Sequence, residues 1–204
     1  MLISLSQPSK AKQAATLVQS GMRSFRKCDV TGSIQAFDEA LRLDPAIRPY
    51  LWQRGLSLYY AEQYEAAAMQ FRDDVAVNPS DTEEAIWAFL SEARLLGASQ
   101  ARRQFLQVGR DSRDVMRAAC TVFQDGSDPA RILRAADGGR GSSSAFYANL
   151  YVGLFFEAEG DEQQSGEAIA RALDTEYAKA SGDYMAALAK VHAQLRGLGG
   201  SLST

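Results

Sequence analysis

Few residues in this sequence have the types and spacing that chemistry needs. His192 is the single histidine, one residue past a helical apolar stripe at Tyr184, Leu188, Val191 and Leu195. That placement suits a satisfied or exposed helix histidine better than a general base. Cys28 and Cys120 are the two cysteines, and neither lies near the histidine in sequence. Two thiols supply neither a disulfide framework nor the four ligands of a structural zinc site. Adjacent carboxylates occur at Asp73-Asp74 and Glu83-Glu84. Neighbours on a helix point about 100° apart, so neither pair converges as an acid and a base; both read as solvated faces and helix caps. The stretch DGGRGSSS, 137–144, is a loop rich in Gly and Ser, but it lacks the G-x-x-x-x-G-K-[ST] spacing of a phosphate loop and follows no strand. The expectation is therefore no catalytic residue, no metal site and no cofactor.

Arginine supplies the remaining chemistry. Between Leu90 and Arg140 there are nine Arg, no Lys and six acidic residues. Arg113 and Arg117 share a helix face, and Arg102 and Arg103 lie one helix earlier. These four mark a basic patch that could meet RNA phosphates or an acidic partner segment. The contrasting reading is ordinary surface arginine, since Arg exceeds Lys throughout, 17 to 5. The whole chain carries 22 basic against 25 acidic residues, a net of -3 with pI near 5.3, which gives no general attraction to nucleic acid or anionic lipid. No apolar run approaches the roughly 20 residues a bilayer span needs, and MLISLS is too short for a signal h-region. A soluble chain is expected. Residues 1–28 hold five basic and no acidic residues, a composition that resembles an organelle transit peptide. From Ala14 onward, however, Leu17, Val18, Met22 and Phe25 already have helical spacing.

The elements that must position these residues repeat. Gly21 is followed 34 positions later by Gly55, Phe37 by Phe71, and Asp44-Pro45 by Asn78-Pro79. That period aligns GMRSFRKCDVTGSIQAFDEALRLDP with GLSLYYAEQYEAAAMQFRDDVAVNP, each reading as helix, tight turn, helix and proline stop. After Ser80 the period blurs while helical texture continues. Asp81 and Glu84 can form a capping box for a helix ending near Leu96; Gly97 stops it and Ser99 can cap the next. Ser112 can cap a helix carrying Val115, Met116, Ala119, Val122 and Phe123, and Asp128-Pro129 opens another. Beyond the loop, Gly153, Gly160-Asp161, Ser165, Ile169 and Ala172 return to the same grammar, and a helix from about Asp183 to Arg196 closes the chain.

A 34-residue helix-turn-helix unit with these positions resembles the tetratricopeptide (TPR) repeat family. Gly55, Tyr64, Ala67, Phe71 and Pro79 fall at the family's glycine, turn aromatic, small residue, second-helix aromatic and terminal proline. Departures are Asp74 where the family prefers alanine, and Val30 and Ser33 in the first unit. Over about residues 48–196 the chain is also similar to TPR-like proteins of plants and green algae, many of them plastid-directed, and more distantly to bacterial TPR lipoproteins that act as homodimeric adaptors. The resemblance implies an all-α, right-handed superhelical solenoid. Its parts would be repeats at 14–47 and 48–81, degenerate hairpins at 82–137, a degenerate repeat at 146–177 and a capping helix at 182–197, with 1–13 and 198–204 as flexible ends. It also implies a location in the chloroplast stroma, or else in the cytoplasm.

In such a solenoid the first helix of each unit lines a concave groove. The resemblance places Val18, Met22 and Phe25, then Trp52, Leu56, Tyr59 and Tyr60 there, an apolar surface without the Lys and Asn of TPR clamps for chaperone tails. An apolar surface of that size must be covered, by a partner segment, a second copy of the chain or the later helices. The expectation favours a partner or a homodimer, and hence a non-catalytic adaptor or assembly factor. An organellar RNA-binding helical-repeat protein is the alternative.

Overall fold

A computed structural model of the chain describes residues 9–136 and 143–198. All the regular structure among the described residues is helical. Of the expected flexible ends at 1–13 and 198–204, residues 1–8 and 199–204 lie outside the described residues, as does most of the 137–144 loop; residues 10–13 are helical. The first helix, α1 (Lys10–Arg26), begins four residues earlier than expected because Ser9 caps it, its hydroxyl accepting from the Lys12 N–H at 3.3 Å. It pairs with α2 (Val30–Leu43); after a 3₁₀ turn at Pro45–Tyr50, α3 (Trp52–Tyr60) pairs with α4 (Tyr64–Val77). Later α9 (Ser143–Glu159) pairs with α10 (Glu162–Leu173).

The three pairs share one geometry. At each turn a residue has positive φ: Cys28 at 60°, Glu62 at 60° and Gly160 at 82°. The next N–H then reaches back to a carbonyl five residues earlier, Asp29 to Ser24, Gln63 to Leu58 and Asp161 to Phe156, at 2.9–3.0 Å, as in a Schellman stop. The helices of each pair also cross at a glycine. A Cβ on Gly21 would lie 3.0 Å from the Phe37 ring, one on Gly55 2.7 Å from Phe71, and one on Gly153 2.7 Å from Ile169. Glycine is needed here because a large side chain of the second helix, Phe37, Phe71 or Ile169, occupies the space of the missing Cβ. Gly55→Ala is expected to cost about 1–3 kcal/mol through overpacking, measurable as a lowered midpoint in denaturant with an unchanged slope.

The middle of the chain departs from this pattern. The helix α5 (Thr82–Leu96) is buried along most of its length and packs on α4, the short α6 (Ala98–Arg102), α7 (Asp114–Asp125) and α9. Asp81 caps it as expected, accepting from the Glu83 and Glu84 N–H groups. The capping box does not close: the Asp81 N–H donates to the Asn78 carbonyl at 3.1 Å, and Glu84 is buried. No second long helix follows Ser99. Residues 103–112 carry no helix; they bury Phe105 against Phe89 and are tied down by Gly109 N–H donating to the Pro79 carbonyl at 2.8 Å. Downstream, α7 buries all five predicted apolar residues. The Ala130 N–H at the start of α8 (Ala130–Arg134) donates to Asp128 as predicted. The short α11 (Glu176–Ala180) and then α12 (Tyr184–Leu195) end the described chain.

The reading of the paired carboxylates as solvated is corrected for one member of each pair. Asp74 is 4% and Glu84 7% exposed, because α5 lies over α4 and encloses both. Asp73 and Glu83 stay at the rim, paired with Arg48 and Arg113 at 2.8 and 2.7 Å. Burial without a cation pushes Asp74 up to about 8, and burial beside Asp81 pushes Glu84 up to about 10.

Candidate functional site

The face predicted to line a groove does converge, but α12 fills it. Phe25, Leu56, Tyr59 and Tyr60 are buried, while Val18, Met22 and Trp52 are half-buried. The Tyr184 ring stacks on Phe25 at 5.6 Å and meets Trp52 edge-on at 5.3 Å. Tyr60 shares a 2.9 Å hydrogen bond with His192 Nδ1, and Cys28 Sγ donates to Gln194 Oε1 at 3.0 Å. At Phe25, Trp52 and Tyr60 the favoured cover, a partner or a second copy, thus gives way to the chain's own α12. The reason is that α12 is itself apolar towards this face, burying Tyr184, Met185, Leu188, Ala189 and Val191. Of the two expected placements, satisfied or exposed, His192 takes the buried one, with Nδ1 bonded to Tyr60 and Nε2 without a partner.

Where the ends of α3, α9 and α12 meet, the packing becomes polar. Tyr59 Oη donates to Glu157 Oε2 at 3.0 Å, and Arg196 Nε donates to Glu157 Oε1 at 2.6 Å. The Arg196 guanidinium lies 5.8 and 5.5 Å from the Tyr59 and Tyr60 ring centres. The charge of His192 when it is protonated, the Arg196 charge and the hydrogen bonds from Arg196 and Tyr59 hold the Glu157 carboxyl below its ordinary range despite burial. Burial dominates at His192 and pushes it down to about 4, so the imidazole is neutral at pH 7. Burial raises both tyrosines well above their usual range, leaving them protonated donors.

This cluster borders open space. His192, Arg196, Glu157 and Ser165 line a cleft of about 240 Å³, and Arg94, Glu157 and Gly160 are shared with a wider groove of about 760 Å³ reaching Tyr64, Leu96 and Arg103. Two buried atoms at the boundary, His192 Nε2 and Arg196 Nη2, have no protein partner. Among the described residues His192 bonds to Tyr60 and to no serine or cysteine side chain. The arrangement offers directed hydrogen bonds to a ligand; it does not link a nucleophile to a base.

The four arginines of the predicted patch are not brought together. Arg102 Nε donates to the Phe123 carbonyl at 3.2 Å, its guanidinium pairs with Glu159, and it lies over the Phe89 and Phe155 rings. Arg113 pairs with Asp111 and Glu83 and lies over Tyr147. Arg117 is bound to Asp114 and to the carbonyls of Asp111 and Ser112. Tyr147 and Glu159 are twelve positions apart on α9, so Arg102 and Arg113 contact that helix about 18 Å from each other. Arg102 and Arg113 fasten helices together, and Arg117 ties the start of its own helix to the segment before it. Arg103 alone is exposed with no carboxylate partner among the described residues, and it lines the wider groove together with Arg94. Sequence reasoning missed Glu157 and Arg196. The only local trace was the i,i+4 spacing of His192 and Arg196 on one helix face.

In comparisons with known proteins, the chain matches no family model and no curated protein. None of the described helices is long and apolar enough to cross a membrane.

Proposed function

We propose that the chain is a non-catalytic interaction module of the TPR-like type, an adaptor or assembly factor that grips a partner segment in the cleft beside His192 and Arg196. Support for the TPR-like reading comes from the 34-residue spacing together with the shared turn and glycine-crossing geometry of three helix pairs. The apolar inner face is the core of this module, and the ligand surface moves to its polar end. One observation carries that placement: His192 Nε2 and Arg196 Nη2 are buried without a partner at the edge of an open cleft. A buried donor left unmade costs about 1–3 kcal/mol, which an acceptor on the partner, a carboxylate or a chain carbonyl, recovers on binding. Arg94 and Arg103, exposed and without carboxylate partners among the described residues, add attraction for an acidic segment.

The test is an array of acidic, neutral and basic peptides read by fluorescence anisotropy, with wild type set beside an Arg94→Glu, Arg103→Glu double variant. Acidic peptides should bind the wild type in a salt-sensitive way and lose at least tenfold on the double variant, whose melting temperature stays within a few degrees. Equal binding to both proteins, or none to either, would remove the cleft from consideration.

A further inference from the structure

At the N-terminal end of α5, about 16 Å along its axis from Arg94, lies a second cavity of about 140 Å³. Its walls are Trp52 of α3, Phe71 of α4, Trp87 of α5 and Met185 of α12, with Asp81, Glu83 and Glu84 at its polar side. Most of the polar atoms there are already used. Asp81 Oδ1 accepts from two helix N–H groups, Asp81 Oδ2 accepts from Asn78, and Glu83 accepts from Arg113 and from the Tyr151 hydroxyl. Glu84 Oε2 and Trp87 Nε1 are not used, although the two residues are only 7% and 2% exposed.

The charged groups facing Glu84 are Asp74 from α4 and Asp81 and Glu83 at the start of its own helix. The nearby cation, Arg113, is committed to Glu83 and Asp111. Asp74 also carries an unpartnered buried oxygen. The cavity therefore combines carboxyl groups that no cation compensates with three aromatic rings. An anion would be repelled by these carboxyls, and a purely apolar ligand would leave Glu84 Oε2 without a partner. A hard metal ion wants six to eight oxygens in place of rings. A cation carrying carbon matches both walls, its charge to the carboxylate and its methyl or methylene groups to the ring faces. The volume equals four to five waters at roughly 30 Å³ each, the scale of an ammonium head group.

We propose that this cavity binds an alkylammonium group, with Glu84 as its counter-ion and Trp52, Phe71 and Trp87 as its walls. The chain's two tryptophans both line it, so their emission reports occupancy directly. In titrations of the full chain, tetramethylammonium and n-butylammonium should give a saturable change that sodium at equal ionic strength does not. Glu84→Gln keeps the shape of the neutral side chain and should weaken binding at least tenfold while circular dichroism stays unchanged. Because a carboxyl held near 10 must release its proton to pair, the apparent affinity should rise by up to tenfold per pH unit between 6 and 8. An end-blocked Ala-Lys-Ala peptide separates two sources of the same group: tighter binding than butylammonium indicates a partner's lysine, weaker binding a free amine. The proposal is overturned if no saturable change occurs, if sodium reproduces it, or if the Glu84→Gln protein binds as the wild type does.

Discussion

Glu84→Gln is expected to stabilise the ligand-free protein by about 3 kcal/mol at pH 8 and to destabilise it by about 1–2 kcal/mol at pH 4. The native carboxyl keeps its proton up to about 10, whereas the unfolded chain loses it near 4.5. Between those values the native state holds more protons than the unfolded one, so this group's contribution is fully present below 4.5 and falls as pH rises, by about 1.4 kcal/mol per unit. Gln cannot ionise and escapes that loss, less about 1–2 kcal/mol for a buried amide without full partners. For a chain of this length the gain corresponds to roughly 6–12 °C in melting temperature. Denaturant unfolding of both proteins at pH 5, 6.5 and 8 measures it. A difference that stays constant with pH would show that Glu84 already ionises in the native state. Asp74→Asn should follow the same direction, its window closing near 8.

The second large effect has the opposite sign. The native state refuses a proton at His192 down to about 4, while the unfolded chain accepts one near 6.5. Stability from this residue is therefore present above 6.5 and lost as pH falls towards 4, about 3 kcal/mol in all. The groups around the imidazole are Tyr60, Glu157 and Arg196; Glu157, held low, keeps its charge through most of this window. In the wild type this loss runs against the acid-side gain from Glu84 and Asp74, so the informative quantity is the difference from His192→Gln. The amide can keep the Tyr60 hydrogen bond, and the variant should lose about 3 kcal/mol less than wild type between pH 7 and 4. Identical acid sensitivity in the two proteins would place the His192 proton elsewhere.

Much of the scaffold was readable in one dimension, because the features that announce it are local. Gly55 and Phe71 stand 16 positions apart, as do Gly21 and Phe37, and Gly153 and Ile169. That spacing by itself brings the small residue under the large one once a turn forms between two helices. The stop at Gly97, the cap at Asp81 and the stripe from Val115 to Phe123 are likewise contacts within a few residues of each other. Reading by period failed where a non-repeating segment took over, as at 103–112. There, burial of Phe105 and the Gly109–Pro79 hydrogen bond outweigh local helix propensity.

The candidate sites were less readable. The aromatic residues at 52–60 and 25 were identifiable as one face, but not the helix that closes it. Tyr60 and His192 are 132 positions apart and Tyr59 and Glu157 98 apart, and no periodicity links such pairs. The four arginines looked alike in sequence, and only the carboxylates and rings brought to them from other helices distinguish the fasteners Arg102 and Arg113 from Arg117, bound within its own helix start, and from Arg103, which has no carboxylate partner among the described residues.

By itself, then, the sequence determined the helical periodicity, the turn positions and the small-to-large contacts within each pair, since these depend on neighbours a fixed step away. The tertiary structure decided what depends on which helices meet. By laying α12 on α1 and α3 it turned an apolar groove into core, and by laying α5 on α4 it took Asp74 and Glu84 out of water. Burial and charge pairing are properties of the assembled neighbourhood, and a residue's type and position in the chain do not contain them.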